Sequence, residues 1–276
     1  MTLRGSVKAA VRSRVRGSLW DHAGVRAALP LADVADRYAR RRKGLEDLPP
    51  FSLRVRSNGF EGQFGGAAFA RLGGVIADDL ENYAGLTARS RVLDIGCGVG
   101  RVALALARRY PHLDYTGIDV DRPSIDGCRA NPALRQFSFQ RIDVANNLYN
   151  AGGAEAAASY RLPFSDGSFD VVYVVSVFTH MFPDACRNYS KEILRVLRPG
   201  GACAVTAILL EGTEPGWGVV DGAHCRFPLT PLKMVGHSIA QISGFFDRAP
   251  ETVVRGGWHG GASDHEFSQD LLIFRA

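Results

Sequence analysis

The stretch that most restricts how this chain can fold is Val92–Arg101, where a short apolar run leads into alternating glycines. Residues 92–95 are apolar except for Asp94, a pattern typical of a buried strand that ends in a carboxylate. Residues 102–109 are rich in alanine and leucine and predict a helix. The glycines between them are Gly96, Gly98 and Gly100. Strand, glycine turn and helix form the first unit of a doubly wound α/β sheet, which binds ligands at the carboxyl ends of its strands.

Glycines allow such a turn to adopt positive φ and let a ligand lie against bare backbone. The following helix directs its free N–H groups and positive dipole end at the same place. A dinucleotide turn requires its third glycine at position 101, where this chain has Arg101. The spacing argues against a nicotinamide site and leaves either another nucleotide-like ligand or a purely structural turn.

Later strand patterns predict a mostly parallel, doubly wound, seven-stranded sheet with a helical N-terminal extension. Asp119 ends the second predicted strand, where an acid commonly accepts ribose hydroxyls. Asp143 ends the third, as a candidate either for the adenine amino group or for a helix cap. The strands are predicted at 92–95, 114–119, 137–144, 169–175, 202–209, 251–255 and 269–274, the last two as an antiparallel edge pair. Helices are predicted at 67–84, 102–109, 123–131, 184–197 and 231–246.

Three regions are predicted: a basic helical extension (residues 1–50), a lid loop with a lead-in helix (51–90), and a core (91–276). The core carries an insertion at 211–235 on the substrate side. Residues 58–66 are glycine-rich, with two aromatic residues, and predict a loop that folds over a ligand or a plain surface turn. Leu48-Pro49-Pro50 predicts a linker.

The positive charge of the chain is concentrated at its N-terminal end. Residues 1–60 hold 13 of the 33 Lys and Arg residues but 5 of the 28 acids, a formal charge of +8. Apolar residues recur every fourth position over residues 1–20, between basic ones, which predicts a basic amphipathic helix. This helix either packs on its own domain, contacts an anionic membrane surface peripherally, or is a targeting peptide.

Five cysteines, with no C-x-x-C pair, indicate reduced thiols rather than a disulfide framework or a zinc site. We therefore expect a cytoplasmic, metal-independent protein. The longest strongly apolar run, residues 171–178, is far too short to span a membrane.

From about Phe60 to Phe274 the chain resembles the S-adenosylmethionine (SAM)-dependent methyltransferases with a Rossmann-like, class I fold. The resemblance rests on D-x-G-x-G-x-G at 94–100 and on motifs of a bacterial-type subfamily. These are a glycine/phenylalanine loop (60–66), LDIGCGVGR (93–101), YNAG (149–152), SVFTHM (176–181), LRPGG (197–201), Trp258 and SQD (268–270). The resemblance implies SAM as cofactor and S-adenosylhomocysteine (SAH) as product. The implied cofactor residues are Asp94, Gly96, Cys97, Gly98, Gly100, Arg101, Asp119, Val120, Asp143, Val144 and Ser176.

In such a site Asp94 would meet the SAM ammonium, directly or through water. Arg101 would face the methionine carboxylate or the acceptor, or be a surface charge. His180 follows the fourth strand and is the candidate general base for O-methylation, because an alcohol must lose its proton and imidazole titrates near neutrality. Its alternative role is to pack or to hydrogen-bond a helix start. Weaker acceptor-side candidates are Phe60, Phe64, Tyr149, Trp217, His224, Trp258 and His259.

The sequence thus predicts a methyltransferase acting on a small-molecule or glycan acceptor, at a hydroxyl. The alternatives are a non-catalytic SAM- or SAH-binding module, an N-methyltransferase and a nucleotide-binding oxidoreductase. A nucleic-acid acceptor is disfavoured, because no basic groove with interleaved aromatic residues and no Asn-Pro-Pro-Tyr-type motif follow the fourth strand. The acceptor's identity and the oligomeric state do not follow from the residues.

Overall fold

The structure is a computed structural model that describes residues 23–58, 62–146, 149–212, 214–220, 234–254 and 269–276. Its helices are α1 (Ala23–Arg41), α2 (Phe51–Asn58), α3 (Ala67–Ala84), α4 (Arg101–Arg109), α5 (Arg122–Ala130), α6 (Pro183–Val196) and α7 (Ile239–Phe246), with 3₁₀ turns at Pro132–Leu134 and Phe178–His180. Its strands are β1 (Arg91–Ile95), β2 (Asp114–Asp119), β3 (Ser138–Arg141), β4 (Phe169–Val174), β5 (Leu197–Leu210), β6 (Trp217–Val220), β7 (Met234–Ser238), β8 (Thr252–Val254) and β9 (Asp270–Arg275).

The strands form one sheet whose first five members are parallel, in the order β3-β2-β1-β4-β5. On its other side β5 has two partners: β9 pairs antiparallel with Ala202–Ala207, and β7 pairs parallel with Ile208–Leu210. β8 and β6 are the antiparallel partners of β9 and β7. The predicted mostly parallel, doubly wound sheet and its antiparallel edge pair are confirmed, and the described residues add β6 and β7 to the seven strands expected.

Side chains of the central strands alternate between two apolar layers. Val92 and Leu80 belong to the layer that includes α3, α4 and α5, and Leu93 and Ile193 belong to the layer that includes α6 and α7. All four side chains are buried. Because the parallel strands are covered on both faces, their carboxyl ends and the loops that follow them meet at one edge.

Some predictions of secondary structure from the local sequence pattern are wrong, because tertiary contacts determine the structure at those positions. The predicted helix at 231–246 begins only at Ile239, because residues 234–238 form a strand that pairs with β6 and with the end of β5. Leu48 is buried and its carbonyl accepts a hydrogen bond from Arg40 (2.7 Å), so Leu48-Pro49-Pro50 is packed rather than a linker. β3 covers only residues 138–141, so Asp143 lies beyond its end. The LRPGG turn bulges within β5, since Phe169 faces Leu197 but Val171 faces Ala202.

The helices before the sheet are held together by a buried ionic cluster around Asp36. Arg54 is fully buried and donates to Asp36 (2.6 Å), which also accepts from Arg40 Nε (2.7 Å) and from the Gly65 N–H (2.8 Å). The Gln63 carbonyl accepts a further bond from Arg54 (2.6 Å). Hydrogen bonds on both sides offset the desolvation of a buried ion pair. The cluster joins α1, α2 and the loop at 62–66 into one unit.

Three findings bear on the composition arguments. Cys97, Cys128, Cys186 and Cys203 are buried free thiols, and Cys225 lies outside the described residues. In the described ranges, no helix has both the length and the apolar character needed to cross a membrane. Over the same ranges, no three His, Cys, Asp or Glu side chains are grouped so that they could hold a metal ion.

Candidate functional site

The glycine turn between β1 and α4 has its three glycines in the left-handed region, with φ of +81°, +52° and +80° at Gly96, Gly98 and Gly100. A Cβ atom on Gly96 would lie closer than 3.0 Å to Val177 Cγ2, so the turn also needs a bare backbone there. Only glycine adopts this region without a steric penalty. The sequence therefore fixes a tight turn that contacts the segment following β4.

Asp119 ties this turn to the end of β2. Its carboxylate accepts from the Gly98 N–H (2.7 Å) and from the Asp121 N–H (2.8 Å). Burial raises the pKa of Asp119 to about 6, although both backbone bonds act in the opposite direction. Each carboxylate oxygen can accept more than one hydrogen bond. Asp119 therefore keeps acceptor capacity toward a ligand at the turn.

Arg101 is the first residue of α4, and its guanidinium is held within the site. Its Nη1 donates to Asn58 Oδ1 (2.8 Å), while its Nε is buried and has no partner among the described residues. Burial lowers the pKa of Arg101 to about 10, and the nearby Asp94 opposes this shift. An unpaired, buried, charged donor is costly. The arrangement favours an anionic ligand group at this position.

Asp94 lies beneath the turn, between two tyrosines of the neighbouring strands. The hydroxyls of Tyr115 and Tyr173 each donate to Asp94 Oδ2 at 2.7 Å. Burial raises the pKa of Asp94 to about 7, despite these two hydrogen bonds. Asp94 is only 2% exposed, so its carboxyl group belongs to the core as well as being a candidate ligand contact.

α2 crosses over the glycine turn and the start of α5. Arg56 forms a bidentate pair with Asp121 (2.8 and 3.0 Å), and Ser57 Oγ lies 3.3 Å from Ser124 Oγ. Tyr149 lies on the same side. Burial raises its pKa to about 12, and the carboxylates of Asp119 and Asp121 contribute to the rise. α2 and Tyr149 thus flank the Asp119 side of the site.

The turn after β4 contains a non-glycine residue in the left-handed region, Ser176, with φ of +58°. Its N–H donates to Thr206 Oγ1 (2.8 Å), Thr206 donates to Gln269 Oε1 (2.6 Å), and Gln269 Nε2 donates back to Ser176 Oγ (2.9 Å). Such backbone strain persists only where surrounding contacts enforce it. This closed network fixes the turn that leads to His180.

His180 ends the 3₁₀ turn that follows, and burial lowers its pKa from the usual 6.5. Beneath this segment lies a second histidine, His237 of β7. It is fully buried, its Nε2 lies 3.7 Å from Cys186 Sγ, and burial lowers its pKa while a hydrogen bond with the Met181 backbone raises it. His180 is the more exposed of the two, and its 3₁₀ turn follows the carboxyl end of β4.

Comparisons with known proteins agree with this geometry. Residues 92–201 match the family model described as a methyltransferase domain. Methyltransferase GfsG of Streptomyces halstedii is 31% identical over 161 residues, which cover 55% of this chain and 51% of that protein. O-methyltransferase resE of Aspergillus sclerotiorum is 31% identical over 146 residues, covering 53% and 50%. The chain therefore spans about half the length of these relatives.

Among solved structures, a SAM-dependent methyltransferase of Methanosarcina mazei superposes with a TM-score of 0.51 at 18% identity, over 71% of this chain and 95% of that one. The fold is the Rossmann-like methyltransferase fold. It places the glycine turn, Asp119 and the segment after β4 at one edge of the sheet.

Within this methyltransferase fold the other predicted cofactor residues occupy varied positions. Cys97 and Val144 are buried in the core, so only their backbone groups are available to a ligand, and Val120 is partly buried. Asp143 is exposed and accepts from Arg141 (3.0 Å) and Asn150 (3.1 Å), which together lower its pKa. Of the predicted acceptor-side residues, Phe64 and Trp217 are exposed. Phe60, His224, Trp258 and His259 lie outside the described residues.

The sequence interpretation missed several residues of the candidate site. Arg56 and Asn58 belong to α2, a helix that was not predicted. Tyr115 and Tyr173 lie in the predicted strands 114–119 and 169–175, whose patterns do not indicate their hydrogen bonds to Asp94. The sequence does carry a signal for the start of α7, because Ser238 and Gln241 have the S-x-x-Q spacing of a capping box. In the structure Ser238 Oγ accepts the Gln241 N–H (3.1 Å).

Proposed function

We propose that this protein is a SAM-dependent methyltransferase that methylates a hydroxyl of a small-molecule or glycan acceptor. The observation that carries the proposal is the pairing of the left-handed glycine turn with the Nε of Arg101, which is buried and has no partner among the described residues. The methyltransferase-domain match over residues 92–201 and the relative named as an O-methyltransferase support it.

The residues at the turn fit SAM. The Nε of Arg101 would donate to the methionine carboxylate and would gain the partner it lacks among the described residues. Asp119 would accept the ribose hydroxyls. Asp94 would interact with the methionine ammonium, directly or through water. When bound, SAM supplies a methyl group on a positively charged sulfur.

His180 would remove the proton of the acceptor hydroxyl. Its lowered pKa keeps the imidazole neutral at pH 7, as a general base requires. The network of Ser176, Thr206 and Gln269 would keep the preceding turn, and hence His180, in place.

Calorimetric titration with SAM tests the cofactor site. Asp119→Ala should weaken SAM binding by about 1.5–3 kcal/mol, the range for lost hydrogen bonds to a charged group, or about ten- to a hundredfold in Kd. Asp114→Ala is the matched control, because Asp114 begins the same strand at its opposite, exposed end. Equal affinities of wild type and Asp119→Ala would remove Asp119 from the site. Tight NAD binding without SAM binding would instead support the oxidoreductase alternative.

His180→Ala tests the base, with an acceptor found by screening metabolite and glycan pools with labelled SAM. Turnover should fall about 10²–10⁴-fold, while SAM affinity stays unchanged. His112→Ala, an exposed histidine, serves as the control. In wild type, activity should decline on the acid side only below pH 6.5, where His180 becomes protonated. Near-normal turnover of His180→Ala would favour an amine acceptor, and SAM binding with no transfer to any pool would favour a binding module.

A further inference from the structure

An exposed aromatic pair stands next to His180. Phe182 is 56% exposed and Trp217 is 48% exposed, and their rings meet edge to face, with centroids 5.6 Å apart and an interplanar angle of 82°. Val219 is also 48% exposed and lies two residues along β6, on the same face of the strand as Trp217. Clustered exposed apolar side chains mark binding surfaces.

The topology places this pair at the edge of the sheet where the glycine turn lies. Phe182 is the N-cap of α6 and follows His180 by two residues. Trp217 begins β6 and faces His237 of β7, which in turn pairs with the carboxyl end of β5. The contact between His237 and Cys186 of α6 (3.7 Å) holds the β6–β7 hairpin beside α6. Both rings are therefore carried by regular elements at the acceptor side of the proposed site.

The charged residues beside the pair in the chain are acidic. Asp184 follows Phe182, and Glu211 and Glu214 precede Trp217; all three are exposed. The basic residue nearest in α6, Arg187, is directed to the ring of Phe245, with its guanidinium carbon 5.4 Å from the centroid. Carboxylates this close to the aromatic pair in the chain disfavour an anionic ligand and suit an uncharged one.

We propose that Phe182, Trp217 and Val219 form the acceptor-binding surface, and that they select an uncharged small molecule with an apolar ring. The assignment of this surface to the acceptor rests on the proposed function, because the assignment relies on the position of His180. The surface itself binds through ring stacking and apolar contact, which depend on no cofactor.

A matched pair of probes tests this surface: 2-naphthol, which is neutral and carries a hydroxyl, and 2-naphthalenesulfonate, which is anionic. We expect the full-length protein to bind 2-naphthol in calorimetric titration, and Phe182→Ala and Trp217→Ala each to weaken binding about tenfold, as for aromatic anchors. Trp217→Phe should retain most of the affinity. Tyr83→Ala, a partly exposed aromatic on α3, should have no effect. The sulfonate should bind at least about tenfold more weakly than the naphthol.

Absence of 2-naphthol binding, equal affinity in both alanine variants, or equally tight sulfonate binding would overturn the proposal. SAM titrations of the same proteins separate it from the proposed function. Unchanged SAM affinity in Phe182→Ala and Trp217→Ala supports a surface that acts on the acceptor alone. Naphthol binding by a protein that fails to bind SAM would refute the methyltransferase proposal and leave the surface standing.

Discussion

Asp94 is an acid held in the core by two tyrosine hydroxyls. In the sheet register Asp94 of β1 lies directly beside Tyr173 of β4, and Tyr115 of β2 reaches it from the other side. Burial disfavours the charged carboxylate more than the two hydrogen bonds favour it, so the pKa of Asp94 is raised to about 7. At neutral pH the ionised form of this group therefore destabilises the fold.

Asp94→Asn should expose this effect. Because the pKa of Asp94 is raised from 3.8 to about 7 on folding, its stabilising contribution is complete below pH 3.8 and is lost as the pH rises through 7. The free energy of unfolding of wild type minus that of Asp94→Asn should thus decrease by a few kcal/mol between pH 5 and pH 8. Urea denaturation at both pH values measures it. A constant difference across this range would mean that Asp94 titrates normally.

At the residue scale, the sequence predicted the positions of Asp94, Arg101 and Asp119 because turn spacing places them at strand and helix ends. It could not predict their partners. Asn58 reaches Arg101 across 43 residues of chain, and Tyr173 reaches Asp94 across 79. Such pairs depend on how distant elements pack, which no local pattern reports.

At the scale of elements, the glycine turn and the segment after β4 fit against each other. A Cβ atom on Gly96 would overlap Val177, which lies between Ser176 and the 3₁₀ turn that carries His180. A change in the turn would therefore move the segment that bears the proposed base.

Gly96→Ala should destabilise the protein more than Gly85→Ala. Gly85 also has a left-handed φ, +70°, but nothing lies within 4 Å of its Cβ position, so its substitution reports the backbone strain alone, about 1–2 kcal/mol. Gly96→Ala adds the overlap with Val177 and should lose further stability, together with turnover. Thermal unfolding of both variants makes the comparison. Equal losses would show that Val177 moves aside freely.

Elements with strong period patterns were predicted well, as β1, β4, α3 and α4 show. α2 was missed because its eight residues follow two prolines and carry little amphipathic pattern. Its stability comes from tertiary contacts, above all those of Arg54 and Arg56. The apolar residues of β7 fit a helix as well as a strand, and pairing with β5 and β6 makes this segment a strand.

At the scale of the whole molecule, the basic N-terminal region joins the core through the buried Leu48 and through polar contacts. Asp47, beyond α1, pairs with Arg108 of α4 (2.7 Å), and its carbonyl accepts from Asn131 (2.7 Å). The exposed face of α1 presents Leu31, Val34 and Tyr38. Residues 1–20, where the basic amphipathic helix is predicted, lie outside the described residues, and we retain peripheral contact with an anionic membrane as a proposal for them.

Removal of residues 2–22 should leave SAM affinity intact, because the proposed cofactor contacts all come from residues beyond 50. It should abolish co-sedimentation with anionic vesicles, with neutral vesicles as the control. Vesicle binding should also weaken as salt increases. Loss of SAM affinity on truncation would mean that the removed segment contributes to the cofactor site. Failure of the full-length protein to bind anionic vesicles would leave this segment only a packing role.

The position of β9 in the sheet has a consequence for incomplete chains. Although β9 is the last strand in sequence, it lies between β5 and β8, and its residues Leu271–Phe274 are buried. A nascent or proteolysed chain that ends before Asp270 would leave the β9-facing backbone N–H and C=O groups of β5, between Ala202 and Ala207, without a partner strand. An open, apolar edge of this kind is a template for pairing between molecules. Aggregation is therefore the expected fate of such fragments, even though every residue proposed to bind SAM would still be present in them.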